Sequence, residues 1–117
     1  MIVAGLGFRK GVSAQSLRAA LALVGRADLL ATAEGKEAEP GLLRLSAETG
    51  LAIRAVSRAS LAAQGIEGSG RSMALYGTGS VAEAAALAAA GQGARLIATR
   101  KTGPDGMAVA ALAEGNG

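Results

Sequence analysis

Short apolar runs alternate with helix-like segments along the whole chain, and this alternation limits the fold more than any other feature. Ile2–Leu6, Asp28–Ala33, Leu51–Val56, Ser72–Tyr76, Arg95–Thr99 and Met107–Ala113 each have the length and apolar content of a strand. Between them, Ser13–Val24, the stretch from Pro40 to Gly50, Ser57–Gln64 and Ser80–Ala90 read as helices. In the first helix Leu17, Ala20, Leu21 and Val24 form one apolar stripe behind a Ser13 N-cap, and Gly25 stands where the helix should stop. Pro40 suits the first turn of the second, and Leu42, Leu43 and Leu45 supply its buried side. Strands alternating with helices require a mostly parallel sheet with helices on both faces, a three-layer α/β domain. The Pro104-Asp105-Gly106 turn is too short for a crossover. The C-terminal strand is therefore expected antiparallel to the one before it, at the sheet edge. A chain of 117 residues supports one such domain, spanning 1–117, with no internal repeat or linker.

Composition narrows the chemistry. Half the residues are apolar and 18% are charged, which is globular rather than disordered. A net charge of +3 and a sequence pI of about 10.0 raise the question of a polyanionic partner. No run of Lys or Arg occurs, however, and Phe8 and Tyr76 are the only aromatics, too few for a platform that stacks unpaired bases. Nucleic acid is not an expected partner. The chain has no cysteine and no histidine. That excludes disulfides, thiolate nucleophiles, the usual zinc sites and a Ser-His-Asp triad, and leaves proton transfer to Glu, Asp, Lys or Tyr. No metal or cofactor is expected. The opening MIVAGLG is broken by glycine too early for a signal peptide, and no apolar stretch approaches the length of a membrane span.

In sheets of this kind ligands bind beyond the carboxyl ends of the strands. Three loops follow strands: GFRKG, TAEGKEAE and GTGS. They bring Arg9, Lys10, Glu34, Lys36, Glu37 and Glu39 toward one edge, joined by Arg100 and Lys101. The grouping suggests a cationic mouth for carboxylates or phosphates, although solvation alone explains any one of these charges. Gly77, Gly79 and Ala82 fit the G-x-G-x-x-A pattern of dinucleotide sites, and Gly5, Gly7 and Gly11 offer a second glycine set. The acidic residue such sites need about 20 positions on is absent, because that strand end carries Arg100 and Lys101. A general anion site at the helix beginning with Ser80 stands beside the plainer reading, a turn that only turns. Glu83, three residues after Ser80, completes a capping box, and a catalytic carboxylate is the alternative reading.

Three segments in this order, GFRKGVS, ATAEGKEAEPGL and YGTGSVAEAAAL, resemble the cobalamin-biosynthesis family of CobE and the CbiG C-terminal domain, and the likeness runs over essentially the whole chain. The resemblance implies a cytoplasmic role in building the corrin ring. The ligand would be a corrin-type tetrapyrrole intermediate fringed with acetate and propionate groups, and other pathway enzymes would be possible partners. Such a ligand would suit an edge lined by Gly7, Arg9, Lys10, Lys36 and the turn Gly77-Thr78-Gly79-Ser80. In CbiG the related domain is part of a larger protein similar to a cobalt-precorrin-5A hydrolase, which opens a lactone. If such chemistry occurs in this chain, Lys36 with Glu39 or Glu34, or Glu83, would transfer the proton. The expectation is therefore a binder of a pathway intermediate, with a hydrolase-like enzyme as the alternative and a small nucleotide-binding module as the outsider.

Overall fold

A computed structural model describes residues 1–66, Met73 and 80–116 of the chain. Strand β1 (Ile2–Phe8) runs two residues beyond the expected Leu6. The Arg9 N–H then donates to the Met107 carbonyl at 3.0 Å, carrying the ladder to the start of the next loop. Helix α1 (Ala14–Val24) is capped by Ser13, whose Oγ accepts from the Ser16 N–H at 3.0 Å. Strand β2 (Leu29–Ala33) leads to α2 (Pro40–Thr49), which has Pro40 in its first turn and Gly50 in the left-handed region at its end. Strand β3 (Ile53–Val56) and the short α3 (Arg58–Ala62) follow. Helix α4 (Val81–Ala90), β4 (Arg95–Thr102) and β5 (Ala108–Glu114) complete the described elements. The expected strand Ser72–Tyr76, apart from Met73, lies outside the described residues.

Among the described residues five strands form one sheet in the order β3-β2-β1-β5-β4. β1, β2 and β3 are parallel, while β5 is antiparallel to both β1 and β4. Four strands therefore share one direction, as the alternation required. The antiparallel C-terminal hairpin does form an edge of the sheet, but β4 is its outermost strand and β5 lies one place inside. The side chains explain that order. β5, reading AVAALAE, is buried at Ala108, Ala110, Ala111, Leu112 and Ala113, whereas β4 exposes Arg95, Ile97, Thr99, Arg100 and Lys101. Cations along an outer strand also discourage pairing with a further strand.

Helices cover both faces. Leu17 and Ala20 of α1 pack with Leu42 and Leu45 of α2 against Ala4, Leu6, Leu30, Ala110 and Leu112. On the other face, Leu61 of α3 and the alanines of α4 pack against Val3, Leu29, Ala31, Val56 and Ala113. Buried Thr32 is satisfied by donating to the Leu6 carbonyl at 2.8 Å.

Helix α4 is nearly all alanine, and its closeness to the sheet depends on glycine in β1. A Cβ on Gly5 would stand 1.9 Å from the Ala82 carbonyl oxygen and 2.6 Å from the Ala86 nitrogen. Gly7, two residues on, lies beneath the start of the helix, where a Cβ would meet Val81 Cβ at 3.6 Å and the Ala82 nitrogen at 3.7 Å. The first turn of α4 therefore rests on the carboxyl end of β1. α2 is drawn to the same end of the sheet, because Gly41 packs against the Val12 carbonyl, 2.1 Å from where a Cβ would lie.

Candidate functional site

The carboxyl end of the sheet holds two neighbouring groups of side chains. The first is built by the loops after β1 and β2. The Glu39 carboxylate accepts the Gly11 N–H at 2.7 Å, which ties the β1–α1 loop to the start of α2. Backbone turns shape the second loop, with Lys36 N–H on the Ala33 carbonyl at 3.0 Å and Glu39 N–H on the Lys36 carbonyl at 3.2 Å. Within it the Glu37 carboxylate accepts the Gly35 N–H at 2.6 Å. These turns hold the Lys36 ammonium 5.1 Å from the centroid of the Phe8 ring, a cation–π contact between the two loops. Arg9 and Lys10 stand exposed beside it.

The second group surrounds the first turn of α4. Ser80 is buried, and its Oγ accepts the Glu83 N–H at 3.2 Å, forming the expected N-cap. Glu83 is only 7% exposed. Its Oε2 accepts the Arg100 backbone N–H at 2.8 Å, and the Arg100 guanidinium lies 4.0 Å from Oε1. Gly7 lies beneath this turn, as the contacts at Val81 and Ala82 require.

The expected site residues thus divide between these two groups. Gly7, Arg9, Lys10, Lys36, Glu39, Ser80 and Glu83 all lie at the carboxyl edge. Gly77, Thr78 and Gly79 lie outside the described residues. Lys36 and Glu39 share a backbone turn, yet their side chains part: the ammonium sits over Phe8 and the carboxylate holds Gly11. The glycines of the first set are in place for packing, since Gly5 and Gly7 belong to β1 and not to a loop.

Two contributors carried no assigned role in the sequence reading. Phe8 ends β1 and becomes the floor under Lys36; an aromatic directly before Arg9-Lys10-Gly11 was the available signal. Asp105, in the β4–β5 turn, accepts from the Ser16 hydroxyl and takes the Met107 N–H at 3.0 Å, closing the start of α1. The Ser16 hydroxyl, and then the Met107 N–H, hold the Asp105 carboxyl below its ordinary value.

Three of the four ion pairs among the described residues lie away from this edge. Away from it, Arg18 and Arg44 share Glu48 at 2.6 and 3.1 Å, and Arg95 meets Glu114 at 3.2 Å. Those two arginines, Arg18 first, hold the Glu48 carboxyl below its ordinary value. Arg9, Lys10 and Lys36 form no ion pair among the described residues. Beyond this edge, an open cleft of about 320 Å³ runs along β3, lined by Glu34, Arg54, Ser57 and Ala89, where Arg54 donates to the Ala89 carbonyl at 3.1 Å. Among the described residues no three acidic side chains converge as a metal ion would need. No helix among them is long and apolar enough to cross a membrane.

A five-stranded mixed sheet covered by helices on both faces, with Arg9, Lys10 and Lys36 at the carboxyl ends of its parallel strands, defines a small three-layer α/β domain. The particular lineage is clear, because the chain belongs to the cobalamin-synthesis family of CobE and the CbiG C-terminus. Residues 2–113 match the family described as cobalamin synthesis G C-terminus. The crystal structure of CobE, a protein from the cobalamin (vitamin B12) biosynthetic pathway, is 35% identical to this chain. The two superpose with a TM-score of 0.85 over 97% of this chain and 89% of CobE. The cobalamin biosynthesis protein chiG from Agrobacterium tumefaciens is 33% identical, with a TM-score of 0.73 over the full length of both chains. No curated protein sequence matches.

Proposed function

We propose that this domain binds a carboxylate-rich, corrin-type intermediate of cobalamin biosynthesis in the cytoplasm, at the carboxyl edge of its sheet. One observation carries the reading: Arg9, Lys10 and Lys36 gather from two neighbouring loops at that edge, and none of the three has an ion-pair partner among the described residues. Acetate and propionate arms suit such a rim. A guanidinium can pair a planar carboxylate through two hydrogen bonds, and an ammonium adds a compact point charge. The half-buried Phe8 ring offers an apolar surface beside these charges for the macrocycle. Family membership supports the ligand class, since both solved relatives are named for the cobalamin pathway.

Holding a ligand fits the site better than transforming it. The Glu39 and Glu83 carboxylates already accept backbone N–H groups, and Lys36 faces a ring instead of an acid. The test uses cobyrinic acid, which carries seven carboxylates, and its heptamethyl ester, which carries none. The purified protein is mixed with each and passed through gel filtration, and the visible spectrum and mass of the co-eluting corrinoid are recorded. Retention of the acid unchanged, rejection of the ester, and loss of retention in Arg9→Ala and Lys36→Ala are expected. A corrinoid recovered with altered mass would replace the binder by an enzyme that acts on the macrocycle or its side chains.

A further inference from the structure

We infer that Glu83 is a positioning residue for the bound ligand: it holds the β4 backbone so that Arg100 is presented at the carboxyl edge. The inference rests on the binding reading above and extends it to a residue and an element that reading does not use.

The argument begins with the cost of Glu83. A carboxylate that is 7% exposed, in a helix otherwise built of alanine, valine and leucine, persists only if its charge is compensated. The compensation comes from an irregular place in the sheet. β4 pairs with β5 in register at Ala98–Leu112 and again at Lys101–Ala110. Thr99 and Arg100 therefore stand together opposite the single residue Ala111, a β-bulge. A bulge leaves an N–H without a ladder partner and re-aims the side chains that follow. Here the Arg100 N–H goes to Glu83 Oε2 at 2.8 Å, and the guanidinium follows to 4.0 Å from Oε1.

The consequence is one of direction. Ala110 and Leu112 pack on the α1–α2 face, and Ala113 on the α3–α4 face, so Ala111 also belongs to the latter. The bulge places Arg100 on that face, beside Glu83 in the first turn of α4, whereas Lys101, paired with Ala110, falls on the opposite one. Without the anchored bulge, strand alternation would put Lys101 and not Arg100 beside α4. Glu83 thus acts through Arg100. Its carboxylate is committed to the β4 backbone, and the arginine, 42% exposed in its side chain, meets the ligand.

Two measurements test this. The first is amide hydrogen exchange at Arg100 by NMR, which needs no ligand. Glu83→Ala should speed exchange there, and Glu83→Gln, which keeps an oxygen to accept the bond, should not. Unchanged exchange in Glu83→Ala would overturn the anchoring. The second is titration of cobyrinic acid into wild type, Glu83→Ala, Glu83→Gln, Arg100→Ala and the Glu83→Ala/Arg100→Ala double variant. Glu83→Ala and Arg100→Ala should each weaken binding about tenfold, and the double variant should bind no worse than either. Glu83→Gln should bind within about threefold of wild type. Independent, multiplying losses in the double variant, or full affinity in Arg100→Ala, would refute action through Arg100. Should Glu83→Ala fail to fold, Glu83→Gln and the exposed Arg100→Ala still decide the matter. Failure of wild type to bind cobyrinic acid would overturn the binding reading and the ligand role of Arg100 with it. The exchange result would then report on the anchoring alone.

Discussion

Replacing Gly5 by alanine should cost far more than the same change at Gly7, although both lie on the same face of the same strand. An alanine Cβ at position 5 would sit 1.9 Å from the Ala82 carbonyl oxygen and 2.6 Å from the Ala86 nitrogen. Both are backbone atoms of α4, so no side chain can turn aside. Restoring ordinary contact requires the helix to withdraw by about 1.5 Å, which opens gaps along an interface made mainly of methyl groups. Overpacking of this kind costs about 1–3 kcal/mol, and the absence of a movable neighbour puts Gly5→Ala near about 3 kcal/mol. For a chain of this size that corresponds to a fall in Tm of about 12 °C. At Gly7 the added Cβ would meet Val81 at 3.6 Å, an ordinary contact. Reduced freedom of the unfolded chain should leave Gly7→Ala level with wild type or more stable by about 0.5 kcal/mol. Thermal unfolding followed by far-ultraviolet circular dichroism at neutral pH compares the two directly. Because the chemical change is identical, effects on the unfolded chain largely cancel. Equal melting temperatures for the two variants, or Gly5→Ala melting within about 3 °C of wild type, would refute the close approach of α4 to β1. The folded Gly7→Ala protein then has a second use: loss of cobyrinic acid binding at normal stability would place Gly7 in the ligand edge.

Gly41→Ala should be destabilising for the same reason, by about 2–3 kcal/mol, since its Cβ would stand 2.1 Å from the Val12 carbonyl; a Tm within error of wild type would contradict that packing. Lys36→Met should change stability by no more than about 1 kcal/mol, the worth of an exposed cation–π contact, while weakening cobyrinic acid binding by about tenfold. Unchanged affinity in this variant would remove Lys36 from the rim. Asp105 has its folded pKa depressed, by the Ser16 hydroxyl first and the Met107 N–H second, so its contribution is present at neutral pH. That contribution is lost as pH falls below the ordinary aspartate value of 3.8 and through the lower folded value. Asp105→Ala should therefore melt below wild type at neutral pH, with the gap closing in acid, and a gap independent of pH would count against the Ser16 contact.

Much of the architecture was legible because it is written in local patterns. Ser13, Gly25, Pro40, Gly50 and Ser80 mark helix ends by capping and backbone rules that act within a few residues, and the helices begin and end there. The position of β5 was not local. Its seven pairings with β1, from Ile2–Glu114 to Phe8–Ala108, join the two ends of the chain, and no turn signal reports them. A signal existed all the same in the contrast between AVAALAE, apolar up to its last residue, and RLIATRKT, which is polar at its first residue and continuously from Thr99. The first asks for burial on both faces and the second for an edge. The glycines of IVAGLGF were ambiguous on their own, since a residue without Cβ serves a helix pressing on a strand as well as an anion over a loop. What decided between these was the alanine helix that packs there, a contact between segments far apart in sequence. At the candidate site, the clustering of cations was readable from loops that follow parallel strands. The commitments of Glu39 and Glu83 to backbone N–H groups were not, because they depend on a neighbouring loop and on a bulge in a distant strand.

Those commitments bear on what this kind of domain can do. General acid–base catalysis needs a group that can change its protonation while remaining within reach of the reacting atom. A carboxylate that holds the Gly11 N–H or the Arg100 N–H is tied to a structural contact and is not free to swing toward a reacting atom. Binding makes the opposite demand, for charges fixed in place and a frame that does not yield. The alanine helix packed on Gly5, the α2 start packed on Val12 and the loop-to-loop bond from Gly11 to Glu39 all stiffen the edge that carries Arg9, Lys10 and Lys36. A rigid rim of this sort suits a large, flat, polyanionic ligand, because many weak carboxylate contacts reinforce one another only when their spacing is held. The acids at this edge therefore hold the frame, and the fixed spacing they give Arg9, Lys10 and Lys36 is what the proposed binding reading requires.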